Sequence, residues 1–126
     1  MRYYYSNVFY ISLAYIAALR EDPNYPNRPE ILKRVASWTD KMRQATSFND
    51  INYRVWMFLL EAEFAEITGE ADKAISGYEA ALDAGEENGF VLEIALAYEL
   101  YGEALIRRNA LRPARRAFLD LSLIHI

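Results

Sequence analysis

The chain has no cysteine among its 126 residues and one histidine, His125. Without thiols there is no disulfide scaffold, zinc-thiolate site, iron-sulfur cluster or cysteine nucleophile. A lone imidazole one residue from the last position leaves little of the metal-site or acid-base chemistry that depends on histidine. Glycine is scarce too: five residues, none set in a phosphate loop, a nucleophile elbow or a dinucleotide fingerprint. Positive charge is the minority sign. Fourteen Lys+Arg against eighteen Asp+Glu give a net charge of −4, the opposite of what holding a phosphate backbone requires. These absences argue against an enzyme, a cofactor protein and a nucleic-acid binder. They leave an interaction module, with no cofactor and no metal expected.

What is present suits one helical domain. Hydrophobic residues make up 53% of the chain, enough for a core, and 126 residues are too few for two such cores. Residues 3–19 carry no charge between Arg2 and Arg20. That run is at the bottom of the membrane-spanning range and contains Ser6, Asn7, Ser12 and five tyrosines (Tyr3, Tyr4, Tyr5, Tyr10 and Tyr15), so a buried or amphipathic helix is expected, not a span or a signal peptide. Pro23 and Pro26 break the chain after it, and Pro29 suits the first turn of a second helix, along which Ile31, Leu32, Val35, Trp38 and Met42 recur at three- and four-residue steps.

Ser47, Asn49 and Asp50 supply the next break and a cap. A third helix, from about Ile51 to Ile67, has apolar residues on two faces and should be covered from two sides. Gly69 ends it. A fourth helix turns Ala74, Ile75, Tyr78, Ala81 and Leu82 inward, Asn88 and Gly89 end that one, a fifth runs from Phe90 to Arg108, and a sixth from Leu111 to Phe118. No stretch alternates with period two over a useful length. The expected fold is all-α, with about six helices.

Phe58, Ala62, Gly69, Ala74 and Tyr78 are followed forty residues later by Tyr98, Gly102, Asn109, Ala114 and Phe118. An aromatic, a small residue, a helix terminator, an alanine and an aromatic recur in one order, as they do when helix hairpins stack and reuse the same packing positions. Gly77 is read as a close approach between hairpins.

In GEADKAISGYEAAL, the residues Gly69, Ala74, Tyr78 and Ala81 resemble the second half of a tetratricopeptide repeat. The chain departs from that pattern at Glu61, which stands where a leucine is usual, and in a spacing of forty rather than about 34 residues. Longer repeats of this sort resemble the helical sensor region of bacterial maltose-activator regulators and of signalling ATPases. A closer resemblance covers most of the chain: SLAYIAALRED, INYRVWMFLLEAEFAEITGEADKAISGYEAALDAGEENGF and EIALAYELYGEALIRRN are similar to the helical-repeat region of large signalling proteins that join serine/threonine kinase, AAA-type ATPase, GAF and histidine kinase domains. The resemblance implies that residues 1–120 are antiparallel hairpins stacked as part of a tetratricopeptide-like superhelix. It implies a cytoplasmic, non-catalytic interaction and coupling scaffold of a signal-transduction kinase, or alternatively the ligand-sensing arm of a maltose-regulator-type transcriptional activator. The implied partners are other proteins or neighbouring domains of the parent chain, with self-association through the ends. Residues 121–126, LSLIHI, read like the translation of a transposon-end sequencing adapter and are expected to be a non-native tail.

Charge is segregated. Residues 61–103 hold twelve acids and only Lys73, whereas residues 104–126 hold Arg107, Arg108, Arg112, Arg115 and Arg116 with Asp120 alone opposing them. An acidic groove for a basic partner segment and a solvated helix face both account for the first block. Glu63, Glu66, Glu70, Glu99 and Glu103 are read as exposed charge, with Glu103 pairing to Arg107 one turn on. The arginines are expected to pair with the acidic neighbouring surface, and the tyrosines to serve packing.

Overall fold

The computed structural model describes residues 2–45, 51–109 and 111–123. The cap expected at Ser47, Asn49 and Asp50, and His125, lie outside them. The chain is all-α: α1 (Arg2–Glu21), α2 (Arg28–Ala45), α3 (Ile51–Ile67), α4 (Ala71–Asn88), α5 (Val91–Arg107) and α6 (Leu111–Ser122), with no strand among the described residues.

The ends of these helices follow from local chemistry. After α1 the prolines deny the backbone further helical donors, and the Asp22 carboxylate accepts the Asn24 N–H at 2.9 Å. The Arg28 guanidinium donates to the Leu19 carbonyl at 2.8 Å, satisfying an acceptor that the end of α1 leaves open. Gly69 (φ 84°) and Asn109 (φ 59°) turn the chain in the left-handed region that glycine and asparagine tolerate best. At the first of these turns the Glu70 N–H returns to the Ala65 carbonyl at 2.8 Å, closing α3.

Packing is organised around α3. It meets α1, α2, α4 and α5, and α5 in turn meets α4 and α6. The odd-numbered helices thus touch in series, whereas α2, α4 and α6 do not touch one another among the described residues. Covered on both faces, α3 holds Val55, Leu59 and Leu60 fully buried and Trp56 nearly so. The Phe9 ring of α1 stacks on Trp56 with centroids 5.6 Å apart. Between α3 and α4 the backbones close up at Ala62 and Gly77, where a Cβ added to Gly77 would stand 2.8 Å from the Ala62 Cβ. This approach lies within a hairpin and not between hairpins as expected. Gly77 faces α3 while its neighbour Tyr78 stacks on Tyr101 of α5, at 5.2 Å between centroids.

Two further expectations are corrected. The sixth helix continues past Phe118 to Ser122, because Leu121 stays half-buried and extends the inward face of Ala114, Ala117 and Phe118. The tyrosines of α1 are not all packing residues: Tyr10 is 57% exposed, while Tyr15 is half-buried beside Trp38. Among the described residues no helix is long and apolar enough to cross a membrane. In α1, Val8, Phe9, Ile16 and Leu19 are buried while Asn7, Ile11 and Ala14 face water.

Candidate functional site

The positions singled out in the sequence fall into three groups. Ala62, Ala74, Ala81, Gly102 and Ala114 are buried, and Tyr78 is fully enclosed. Phe58, Tyr98 and Phe118 are half-buried, with the Phe118 ring lying over Gly102 so that a Cβ there would meet it at 2.7 Å. Gly69 and Asn109 are exposed in left-handed turns.

Two acids read as exposed are instead enclosed. Glu63 is 3% exposed. Its carboxylate lies 3.5 Å from the Arg20 guanidinium of α1 and accepts the Tyr78 hydroxyl from α4. Burial first, and then the Glu63 charge, hold the Tyr78 phenol protonated far above its usual range. One turn on, the Glu66 side chain is 8% exposed, sits 3.5 Å from Arg107 Nε and accepts a hydrogen bond from Arg108. Arg107 therefore pairs with Glu66 rather than with Glu103. The end of α5 crosses the end of α3, and a carboxylate already taken out of water gains more from the guanidinium than an exposed one does. Glu70, Glu99 and Glu103 are exposed as expected.

Two furrows lie where even-numbered helices stand apart over an odd-numbered floor. The first, about 190 Å³, runs between α2 and α4 over α3, and takes Ala36, Thr39, Asp40 and Arg43 from α2. The second, about 380 Å³, runs between α4 and α6 over α5, and takes Glu79, Leu82, Asp83 and Glu86 from α4. These two sets match one for one at a shift of 43 residues. On the floor Glu61 is matched by Tyr101, and on the far wall Lys73 is matched by Pro113, both at a shift of forty.

The sequence reading missed the match between α2 and α4. Five residues connect α2 to α3 and two connect α4 to α5, which accounts for the difference of three between the shifts. Allowing one insertion in the connecting segment would have exposed it.

The furrows differ in charge. In the first, Arg43 donates to Glu61 Oε1 at 3.0 Å and also bonds Asp40, so the acids are neutralised from within. In the second, Glu79, Asp83 and Glu86 form a row of exposed carboxylates. Arg116 lies at its rim, 3.3 Å from Asp120. The floor is Tyr98, Tyr101 and Leu105, and the Tyr98 hydroxyl donates to Glu86 at 3.1 Å. Burial, the hydrogen bond to Glu86 and its charge push the Tyr98 phenol up to about 12. Burial, with Glu79 nearby, also raises Tyr101.

No protein-family model, curated protein or solved structure matches the chain.

Proposed function

We propose that the chain is part of a tetratricopeptide-like superhelix that works as a non-catalytic interaction and coupling scaffold in a multidomain cytoplasmic signalling protein. One observation carries this reading: successive hairpins build the same furrow from matched positions while differing in its charge. A fold that repeats a surface and varies its side chains suits the recognition of extended partners. The contacts of α3 support the coupling half of the reading. Its two enclosed glutamates hold Arg20 on one neighbour and Arg107 and Arg108 on the other, so displacement of one hairpin strains the next.

Hydrogen exchange tests this. Ala74→Leu, which overpacks the α3–α4 hairpin, should accelerate amide exchange in α1 and α5 as well as in α3 and α4. Acceleration confined to α3 and α4 would refute coupling along the array. The purified chain should also release no phosphate from ATP, and turnover abolished by a point substitution within it would refute the non-catalytic reading.

A further inference from the structure

The second furrow has the make of the first without a cation at the Arg43 position: its lining arginine, Arg116 of α6, stands at the rim and pairs with Asp120 at 3.3 Å rather than with the α4 acids. In the first furrow a guanidinium already occupies the space between helices. Arg43 reaches from α2 across to Glu61 of α3 and holds Asp40 on its own helix. At the matched position of α4 stands Glu86, and Glu61 is replaced by Tyr101. The second furrow is twice as large. Three of its α4 residues are carboxylates, and no Lys or Arg nitrogen stands within salt-bridge distance of Glu79, Asp83 or Glu86 among the described residues. Resting on the scaffold reading above, we infer that this furrow binds arginine side chains presented by a basic helical segment of a partner protein.

The chemistry favours arginine over lysine. A planar guanidinium stacks on an aromatic floor and bridges two carboxylates at once, whereas an ammonium is a compact, strongly hydrated point charge. The half-buried Tyr98 and Tyr101 supply the floor, and Glu86 and Glu79 beside them supply the acceptors. Along α4 the acids follow at steps of four and three, a row about 10 Å long. Basic residues spaced by one and two turns on a partner helix repeat at that interval. Leu82 and Leu105 complete an apolar strip beneath the charges and favour a helix whose arginines flank an apolar residue.

The probe is a fluorescently labelled alanine–glutamine helical peptide with arginine at positions i, i+4 and i+7, titrated into the full chain by anisotropy. It should bind, weaken steeply with added salt, and bind better than its lysine counterpart. The triple variant Glu79→Gln, Asp83→Asn, Glu86→Gln should lose about tenfold or more in affinity. A second triple with the same charge change on exposed residues away from the furrow, Glu21→Gln, Glu30→Gln, Asp72→Asn, should stay within about twofold because screened, distant charges contribute little. Glu86→Arg places a guanidinium where the first furrow has Arg43 and should abolish binding with helicity retained.

Equal losses in the two triples, or equal binding of an arginine-free peptide, would overturn the proposal. So would a self-association of the chain that the furrow triple alone dissolves, because the occupant would then be a second copy. A chain that propagates exchange along its helices yet ignores the arginine peptide refutes the furrow and spares the scaffold. Peptide binding without propagated exchange refutes the coupling and spares the furrow.

Discussion

Gly77→Ala and Gly85→Ala place the same methyl group at two buried positions of α4, and the structure assigns them different outcomes. Each substitution gains about 1 kcal/mol of helix propensity. At Gly77 the new Cβ would lie 2.8 Å from the Ala62 Cβ and 3.1 Å from both Ala62 Cα and N, where ordinary contact begins at 3.4 Å. Two of these three atoms are backbone. Relief requires α3 and α4 to separate along the closest part of their interface. Overpacking of this kind costs about 1–3 kcal/mol, so the net expectation is a loss of about 1 kcal/mol. At Gly85 the near atom is Ile94 Cγ1, also at 2.8 Å, but the next contacts are at 3.7 and 4.0 Å, and the half-buried Ile94 side chain can give way by swinging its stiff χ1 off the rotamer minimum while the backbones stay in place. A rotamer adjustment costs about 0.5–1.5 kcal/mol, leaving Gly85→Ala close to neutral. The two variants should therefore differ by about 1 kcal/mol, or roughly 3–5 °C in thermal midpoint. Urea unfolding followed by circular dichroism reads the difference directly, provided the m-value is unchanged. Adding Ala62→Gly to Gly77→Ala removes the worst contact and should give a clearly non-additive cycle. If Gly77→Ala were as stable as Gly85→Ala, the reasoning from helix proximity would be wrong.

Ala74→Leu and Ala114→Leu should each destabilise by about 1–3 kcal/mol in the same assay, because both alanines are enclosed at matched places in their hairpins. Ala84 lies outside the forty-residue pattern yet is buried, so the exposed Ala17 is the neutral comparison, with Ala17→Leu expected within about 0.5 kcal/mol of the parent. Glu63→Ala strands the Arg20 guanidinium and the Tyr78 hydroxyl and should cost about 2–3 kcal/mol, less than a wholly buried pair because Arg20 still reaches water. Tyr78→Phe removes one hydrogen bond to the Glu63 carboxylate but leaves Arg20 in place and should cost less, about 1.5 kcal/mol, and the reverse order would contradict the arrangement around Glu63. Tyr98 stays protonated in the folded chain up to about 12, whereas an unfolded tyrosine ionises near 10. The folded state thus holds the proton longer, its stability is full below pH 10, and it falls as pH rises from there towards about 12. Tyrosinate absorbance should show fewer of the ten tyrosines ionised at pH 11 in buffer than in urea. Coincident curves would refute it.

The helices were legible because their punctuation is strong. Pro23 and Pro26 end α1, Gly69 and Asn109 adopt the left-handed turns their types permit, and three- and four-residue apolar steps mark the inward faces. The enclosed charges were not. Glu63 and Glu66 stand three apart on one helix, the spacing of an ordinary solvated face, and what distinguishes them is partners 43, 41 and 42 residues away on other helices. Gly77 shows the same limit, since a glycine inside a helix signals a close approach without saying which neighbour approaches. Glu61 stood out as a departure from the repeat pattern. Its reason is Arg43, which crosses from α2 to meet it.

The separation of the even-numbered helices has a mechanical consequence. Contacts and ion pairs run from α1 to α3 to α5, so that row resists stretching and cannot slip by a helical turn without breaking the pairs at Glu63 and Glu66. Among the described residues no such backbone approach ties α2 to α4 or α4 to α6, apart from the floor they share. The array is stiff along one row and compliant along the other, and its easiest deformation is a bend that spreads or narrows the even row. Furrow width and the bend of the odd row are then one variable: a side chain wedged between two even-numbered helices would tilt them apart about the floor helix they share.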